Sequence, residues 1–216
     1  MSDEGPLVFV HVPKTAGTSF RHALGRQFGE AALALDYGPG AAETSPLVRR
    51  LVYEEPDIPR LREEMVAGGL KVLCGHVPAA RYADAFGRDH LLVIVRDPVQ
   101  RLVSEYFHNR KLLGETRPFA EFARDPRFID HQYRLVATVP PADYGFVGLT
   151  ERYADTVDAA NRRYGWQLPV LRENLGRPSL DTAYQLEPAL AALVDDLNRK
   201  DLDYYRAMVA EFERRR

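Results

Sequence analysis

The feature that most restricts this chain is a β-rich run that stops at a proline and restarts as a helix. Leu7 to His11 favours a strand, Pro13 ends it, and Thr18 to Phe28 carries Phe20, Leu24 and Phe28 at helical spacing. The same grammar recurs downstream. Leu91 to Val95 is wholly apolar, as a strand covered on both faces is, and Asp97-Pro98 supplies an N-cap with proline at the first helical position. Lys71 to Cys74 reads as a strand running into Gly75-His76-Val77-Pro78, and Tyr144 to Leu149 as one leading into a helix from Thr150-Glu151 to Tyr164-Gly165. Pro46 to Tyr53, Pro59 to Ala67, Glu187 to Asn198 and Leu202 to Phe212 read as further helices. On the helix after Pro98, Val99, Leu102, Val103, Tyr106 and Phe107 form an apolar stripe, with Gln100, Arg101, Glu105 and Arg110 largely outside it. Strands alternating with helices across crossovers this long imply a central parallel sheet with helices on both faces, an α/β architecture. Ligands of such sheets sit beyond the carboxyl ends of the strands.

Length and composition set the bounds. At a prior of roughly 150 residues per domain, 216 residues make one domain over 1–216 with space for extra helices. The apolar share of 45% and charged share of 28% match an ordinary folded chain and argue against disorder, collagen or coiled coil. A net charge of −2 gives no global attraction to nucleic acid or anionic lipid, so any anion site is local. Cys74 is the sole cysteine, which excludes an intrachain disulfide and a multi-cysteine zinc site. Apolar runs such as Leu91 to Val95 are far short of the ~20 residues of a membrane helix, and the first residues lack a basic leader segment. The expectation is a reducing, cytoplasmic setting. Among the basic residues only Lys14, Lys71, Lys111 and Lys200 are lysines, a bias that fits a GC-rich bacterial genome.

Two segments carry chemistry. The first, His11-Val12-Pro13-Lys14-Thr15-Ala16-Gly17-Thr18-Ser19, lies between strand and helix, where backbone N–H groups and the positive end of the helix dipole converge. Lys14 and three hydroxyls add charge and donors, which suits phosphate or sulfate. The plainer account is that Thr18 and Ser19 cap the helix and Lys14 is solvated. The loop is not a Walker A, because Lys14 precedes Gly17 rather than following the loop's glycines. The second segment is Arg96-Asp97-Pro98 through Ser104. Arg96 leaves a strand end as a guanidinium fork and Ser104 offers a hydroxyl from the helix, so one phosphate can accept from both. Arg96 paired with a carboxylate is the plainer account here. Leu91 to Asp97 also mimics a Walker B strand with Asp97 on magnesium, although Asp97 before Pro98 reads better as a helix cap.

Together these segments resemble the sulfotransferase family that uses 3′-phosphoadenosine 5′-phosphosulfate (PAPS). Pro13 to Ser19 is similar to that family's 5′-phosphosulfate loop, and Arg96 to Ser104 to its 3′-phosphate motif. Val147 to Glu151 resembles a segment of the carbohydrate branch, and Gly75-His76-Val77 the strand end that carries the base in uronyl 2-O-sulfotransferases. The resemblance implies a three-layer fold related to P-loop nucleotide kinases, sulfuryl transfer from PAPS to a hydroxyl, and no required metal. It implies cofactor contacts from Lys14, Thr15, Ala16, Gly17, Thr18, Ser19, Arg96 and Ser104, and catalytic roles for Lys14 and His76. Ala16 stands where relatives commonly have glycine, which argues against a positive φ there. Arg172 to Ser179 is the candidate for the segment that closes over the nucleotide.

Histidine suits the base role, since its unperturbed pKa of about 6.5 leaves it substantially neutral at cellular pH. His11 is a candidate for the site floor and His22 for a reserve base, whereas His90, His108 and His131 lack a comparable context. Cys74 reads as a small core residue. The expected acceptor is a hydroxyl of a sugar or glycan, with Arg81, Arg110, Lys111 and Arg117 available to an acidic one. An ATP and magnesium dependent kinase and a non-catalytic nucleotide-binding protein are the alternatives.

Overall fold

The computed structural model of the chain describes residues 5–171 and 183–215. Five strands, β1 (Leu7–Val10), β2 (Leu33–Asp36), β3 (Val72–Gly75), β4 (Leu91–Val95) and β5 (Phe146–Leu149), form a sheet in the order β2-β3-β1-β4-β5. Every pairing is parallel, with Val8 of β1 opposite Leu73 of β3 and Leu91 of β4. The helices are α1 (Gly17–Phe28), α2 (Pro46–Val48), α3 (Ile58–Ala67), α4 (Ala80–Phe86), α5 (Pro98–Leu112), α6 (Phe119–Ala123), α7 (His131–Val136), α8 (Tyr153–Tyr164), α9 (Pro188–Leu197) and α10 (Arg199–Arg215). None is long and apolar enough, among the described residues, to cross a membrane.

Side-chain alternation along the strands divides the core in two. Val8, Val10, Leu73, Val93 and Val147 point to one face, where Leu61, Met65, Tyr82, Phe86, Met208 and Phe212 from α3, α4 and α10 cover them. Phe9, Val72, Cys74, Ile94 and Phe146 point to the other, against Phe20 and Leu24 of α1 and Tyr153 and Val157 of α8. The result is the three-layer α/β arrangement that the strand and helix pattern implies. Cys74 is a core residue, with its thiol pushed up to about 12 by burial.

Three features depart from the sequence pattern. Leu33–Asp36 contains no β-branched residue and reads as no strand, yet it pairs with Val72–Gly75 because tertiary pairing overrides weak propensity. Arg101, expected outside the apolar stripe of α5, is 1% exposed and donates to the Phe128 carbonyl at 3.2 Å. Residues after α5 fold back over that side through α6, whose Phe122 joins Leu102 and Tyr106 in a third core cluster. Phe107, expected in the stripe, is instead exposed. The helix read over Pro46 to Tyr53 is one α-helical turn followed by a π-helical segment, Arg49–Glu54.

Candidate active site

The loop after β1 is built from unusual backbone geometry. His11 N–H extends the ladder to Gly75 O at 2.9 Å, and the Thr15 hydroxyl then donates to Val12 O at 2.9 Å, folding the loop on itself. Lys14 and Ala16 both adopt positive φ, 69° and 64°. The alanine therefore takes the left-handed conformation its Cβ disfavours, at a cost of about 1–2 kcal/mol that the surrounding loop offsets. Ala16 is also the N-cap of α1 and makes no side-chain cap bond, so Thr18 and Ser19 are helix residues and not caps. The helical ladder opens with Phe20 N–H to Ala16 O at 3.1 Å, which places the Gly17 and Thr18 amides ahead of it at the positive end of the dipole. Gly17 is glycine for a steric reason, because a Cβ there would lie 1.9 Å from Cδ2 of His11.

His76 leaves the end of β3 toward this loop. Its amide donates to Asp36 O at 3.1 Å, and the glycine before it lets β2 approach, since a Cβ on Gly75 would stand 2.0 Å from that same oxygen. The Asp36 carboxylate is fully buried and accepts from Tyr53 and Tyr82 hydroxyls, each at 2.5 Å, from Arg81 at 3.0 Å and from Gly38 N–H at 3.2 Å. Arg81 is thus committed to Asp36. Arg110 donates to the Tyr106 hydroxyl and Arg117 pairs with Glu115 and Asp125. None of these three arginines, nor Lys111, lines the cavity described next, so the expected acidic-acceptor contacts do not assemble there.

At the carboxyl ends of β1, β2 and β3 lies a cavity of about 490 Å³, walled by His11, Pro13, Lys14, Thr18, Arg21, Tyr37, Glu43, His76, Glu105 and His108. The His11 ring is 5% exposed and its Nδ1 is 3.1 Å from the Tyr37 hydroxyl. Tyr37 stands edge-on to His76 with ring centroids 4.8 Å apart. Desolvation within the cavity, then the charge of Lys14 and then that of Arg21, lowers the His76 pKa to about 4, although the residue as a whole remains exposed. His76 is neutral at pH 7. Burial also lowers His11 well below the usual value, and lowers Lys14 against the opposing charge of Glu105. Arg21, Tyr37, Glu43, Glu105 and His108 are wall residues that sequence reading did not single out. Arg21 sits one turn beyond Thr18 on α1 and His108 one turn beyond Ser104 on α5, so helical spacing from the two segments was the available signal for those two.

Arg96 and Ser104 stand outside that cavity. Arg96 is 3% exposed, its Nη1 donates to Lys14 O at 3.0 Å, and its Nε lies 3.8 Å from Glu151. It therefore joins the second segment to the first and also has a carboxylate neighbour. Ser104 is half-buried on α5. Asp97 caps α5 by accepting from Gln100 N–H at 3.0 Å. His22 lies against Arg21 at 2.7 Å and does not wall the cavity. Arg172 to Ser179 lies outside the described residues.

A five-stranded, all-parallel sheet between helices, with a lysine-bearing loop after β1, defines an α/β protein whose cavity lies where such sheets take their ligands. Residues 1–137 match the Sulfotransferase family, well over half of the chain, and the protein belongs to that family. It is a PAPS-dependent sulfotransferase. The match covers β1 to β4, both segments and α7, while β5 and the last three helices lie beyond it. No curated protein matches the sequence.

Proposed function

We propose that this sulfotransferase acts on a carbohydrate hydroxyl, with His76 as general base and Lys14 as the group that stabilises the departing phosphate. The observation that carries this reading is the placement of a neutral imidazole and the loop lysine on the walls of one polar cavity. A general base needs its proton-free form at working pH, and His76 has it. Bound PAPS supplies a sulfuryl group on a 5′-phosphate leaving group. The loop from Lys14 to Ser19 fits that anion through the helix dipole, the Gly17 and Thr18 amides and the Lys14 charge. In transfer the acceptor oxygen would bond to sulfur as the bond from sulfur to the 5′-phosphate oxygen breaks, His76 would take the acceptor's proton, and Lys14 would meet the charge left on the phosphate oxygen. Arg96 and Ser104 hold the 3′-phosphate, with Arg96 oriented by its bond to Lys14 O. The carbohydrate assignment rests on the similarity of Val147 to Glu151 and Gly75 to Val77 to carbohydrate sulfotransferases.

The test is a sulfate-transfer assay over a panel of sugars, with His76→Ala beside the native chain. The expected result is a kcat lower by ~10²–10⁴ with 3′,5′-ADP affinity unchanged. A near-native kcat in His76→Ala removes the base assignment, and transfer only to non-sugar alcohols removes the carbohydrate one.

A further inference from the structure

Among the described residues the turn that follows β4 pairs with no strand, and three side chains from two other parts of the chain take the place of one. The Thr150 hydroxyl donates to Val95 O at 3.1 Å, and Asp97 N–H donates to Glu151 at 3.1 Å. Between them, Gln132 engages both backbone polar groups of Arg96. Its Oε1 accepts from Arg96 N–H at 3.0 Å and its Nε2 donates to Arg96 O at 3.1 Å. One amide thus forms the pair of bonds that a strand residue would form. Gln132 is fully buried, so these bonds do not compete with water.

Gln132 is itself held from the C-terminal part of the chain. Its N–H donates to Asp201 at 3.4 Å, and the next amide, that of Tyr133, donates to the same carboxylate. In return the Asp201 N–H donates to the Asp130 carboxylate at 3.0 Å, and the Asp130 N–H donates to the Asn198 side chain at 2.8 Å. The beginnings of α7 and α10 therefore cap each other, and Gln132 projects from that joint.

We propose that Gln132 is a positioning residue for nucleotide selection: it fixes the Arg96 backbone, and through it the guanidinium that reads the 3′-phosphate, under the control of α10. The proposal rests on the assignment of Arg96 to that phosphate. Fixing N–H and C=O together fixes the direction of the Arg96 Cα–Cβ bond, while the Lys14 carbonyl holds the far end of the side chain at 3.0 Å. A fork aligned at both ends meets a dianion without first being ordered, which is how preorganisation raises affinity. Released from Gln132, the guanidinium keeps its charge and loses its aim.

The experiment is calorimetric titration of 3′,5′-ADP and AMP into the native chain, Gln132→Met and Gln132→Asn. Methionine keeps the volume without the hydrogen bonds, and asparagine keeps the amide but withdraws it by one methylene. The expected outcome is a preference for 3′,5′-ADP over AMP that falls about tenfold in Gln132→Met, with AMP affinity within twofold of native. A purely structural loss weakens both nucleotides alike and leaves the ratio intact, and that result overturns the proposal. Where Gln132→Met does not fold, Gln132→Asn decides: a ratio at least threefold lower supports the proposal and a native ratio overturns it. Equal binding of the two nucleotides by the native chain overturns the Arg96 assignment together with this proposal, whereas a native preference untouched by either variant overturns this proposal alone.

Discussion

The imidazole of His11 meets that of His76 edge to face, with centroids 4.4 Å apart and planes at 71°. Burial first, then the charges of His76, Arg21 and Lys14, disfavours the charged form of His11, and burial first, then Lys14 and Arg21, disfavours that of His76. The site thereby keeps both rings neutral at a pH where an isolated histidine is partly protonated.

The first prediction concerns the acid limb of the rate profile. With His76 lowered to about 4, kcat/KM stays level from pH 8 down to about pH 5 and falls only below that. Tyr37→Ala opens the ring to water and moves the limb upward, toward the ordinary histidine value of about 6.5. Both profiles are measured with saturating nucleotide. A native limb already near 6.5, or an unmoved limb in Tyr37→Ala, contradicts the desolvation account.

Stability follows the same protons. His76 and His131 are lowered to about 4 and His11 lies well below 6.5, so the unfolded chain binds more protons than the folded one as pH drops below about 6.5. Stability present above pH 6.5 is therefore lost on acidification toward 4. Burial also raises Asp201, to about 6, and raises Glu151 and Asp195, which opposes the loss, whereas His108, lowered by burial too, adds to it, and the four histidines outweigh the three carboxyls. Scanning calorimetry at pH 7 and pH 5 is expected to give a lower Tm at pH 5. An equal or higher Tm there refutes the balance.

Removing the Asp36 carboxylate leaves two tyrosine hydroxyls, the Gly38 amide and the Arg81 guanidinium without their acceptor. Breaking a buried charge pair costs about 3–5 kcal/mol, and the partly exposed Arg81 places Asp36→Ala near the lower end. Urea unfolding measures it. A loss under 1 kcal/mol would mean that water replaces the carboxylate, and that the end of β2 does not depend on it.

Adjacent positions in the loop respond in opposite directions. Gly17→Ala drives a methyl into the His11 ring, at a cost of about 1–3 kcal/mol for overpacking. Ala16→Gly relieves a residue held at φ 64°. The relief of about 1–2 kcal/mol exceeds glycine's entropic cost of about 0.5–1 kcal/mol, for a net gain of roughly 0.5–1 kcal/mol. Paired denaturation curves test both signs, and a destabilised Ala16→Gly would show that the alanine methyl packs favourably.

Much of this protein is legible in its sequence. The apolar run of β4, the Asp97-Pro98 cap and the spacing of Phe20 and Leu24 on α1 are local signals, set by backbone stereochemistry and side-chain period. From neighbouring residues alone they put the loop from Pro13 to Ser19, Arg96 and His76 at strand ends. Tertiary structure decided what depends on distant residues. Leu33–Asp36 became a strand because β3 offered it a ladder, and only that strand brings Tyr37 to the two histidines. Arg101 went inward because the segment after α5 folds over it, and Ala16 took a left-handed turn because the closed loop leaves it no other path. Gln132, 36 residues beyond Arg96, reached its backbone because α7 and α10 cap each other. Periodicity belongs to a segment and can be read from it, whereas convergence belongs to the packing of many segments at once, and only the folded chain contains that information.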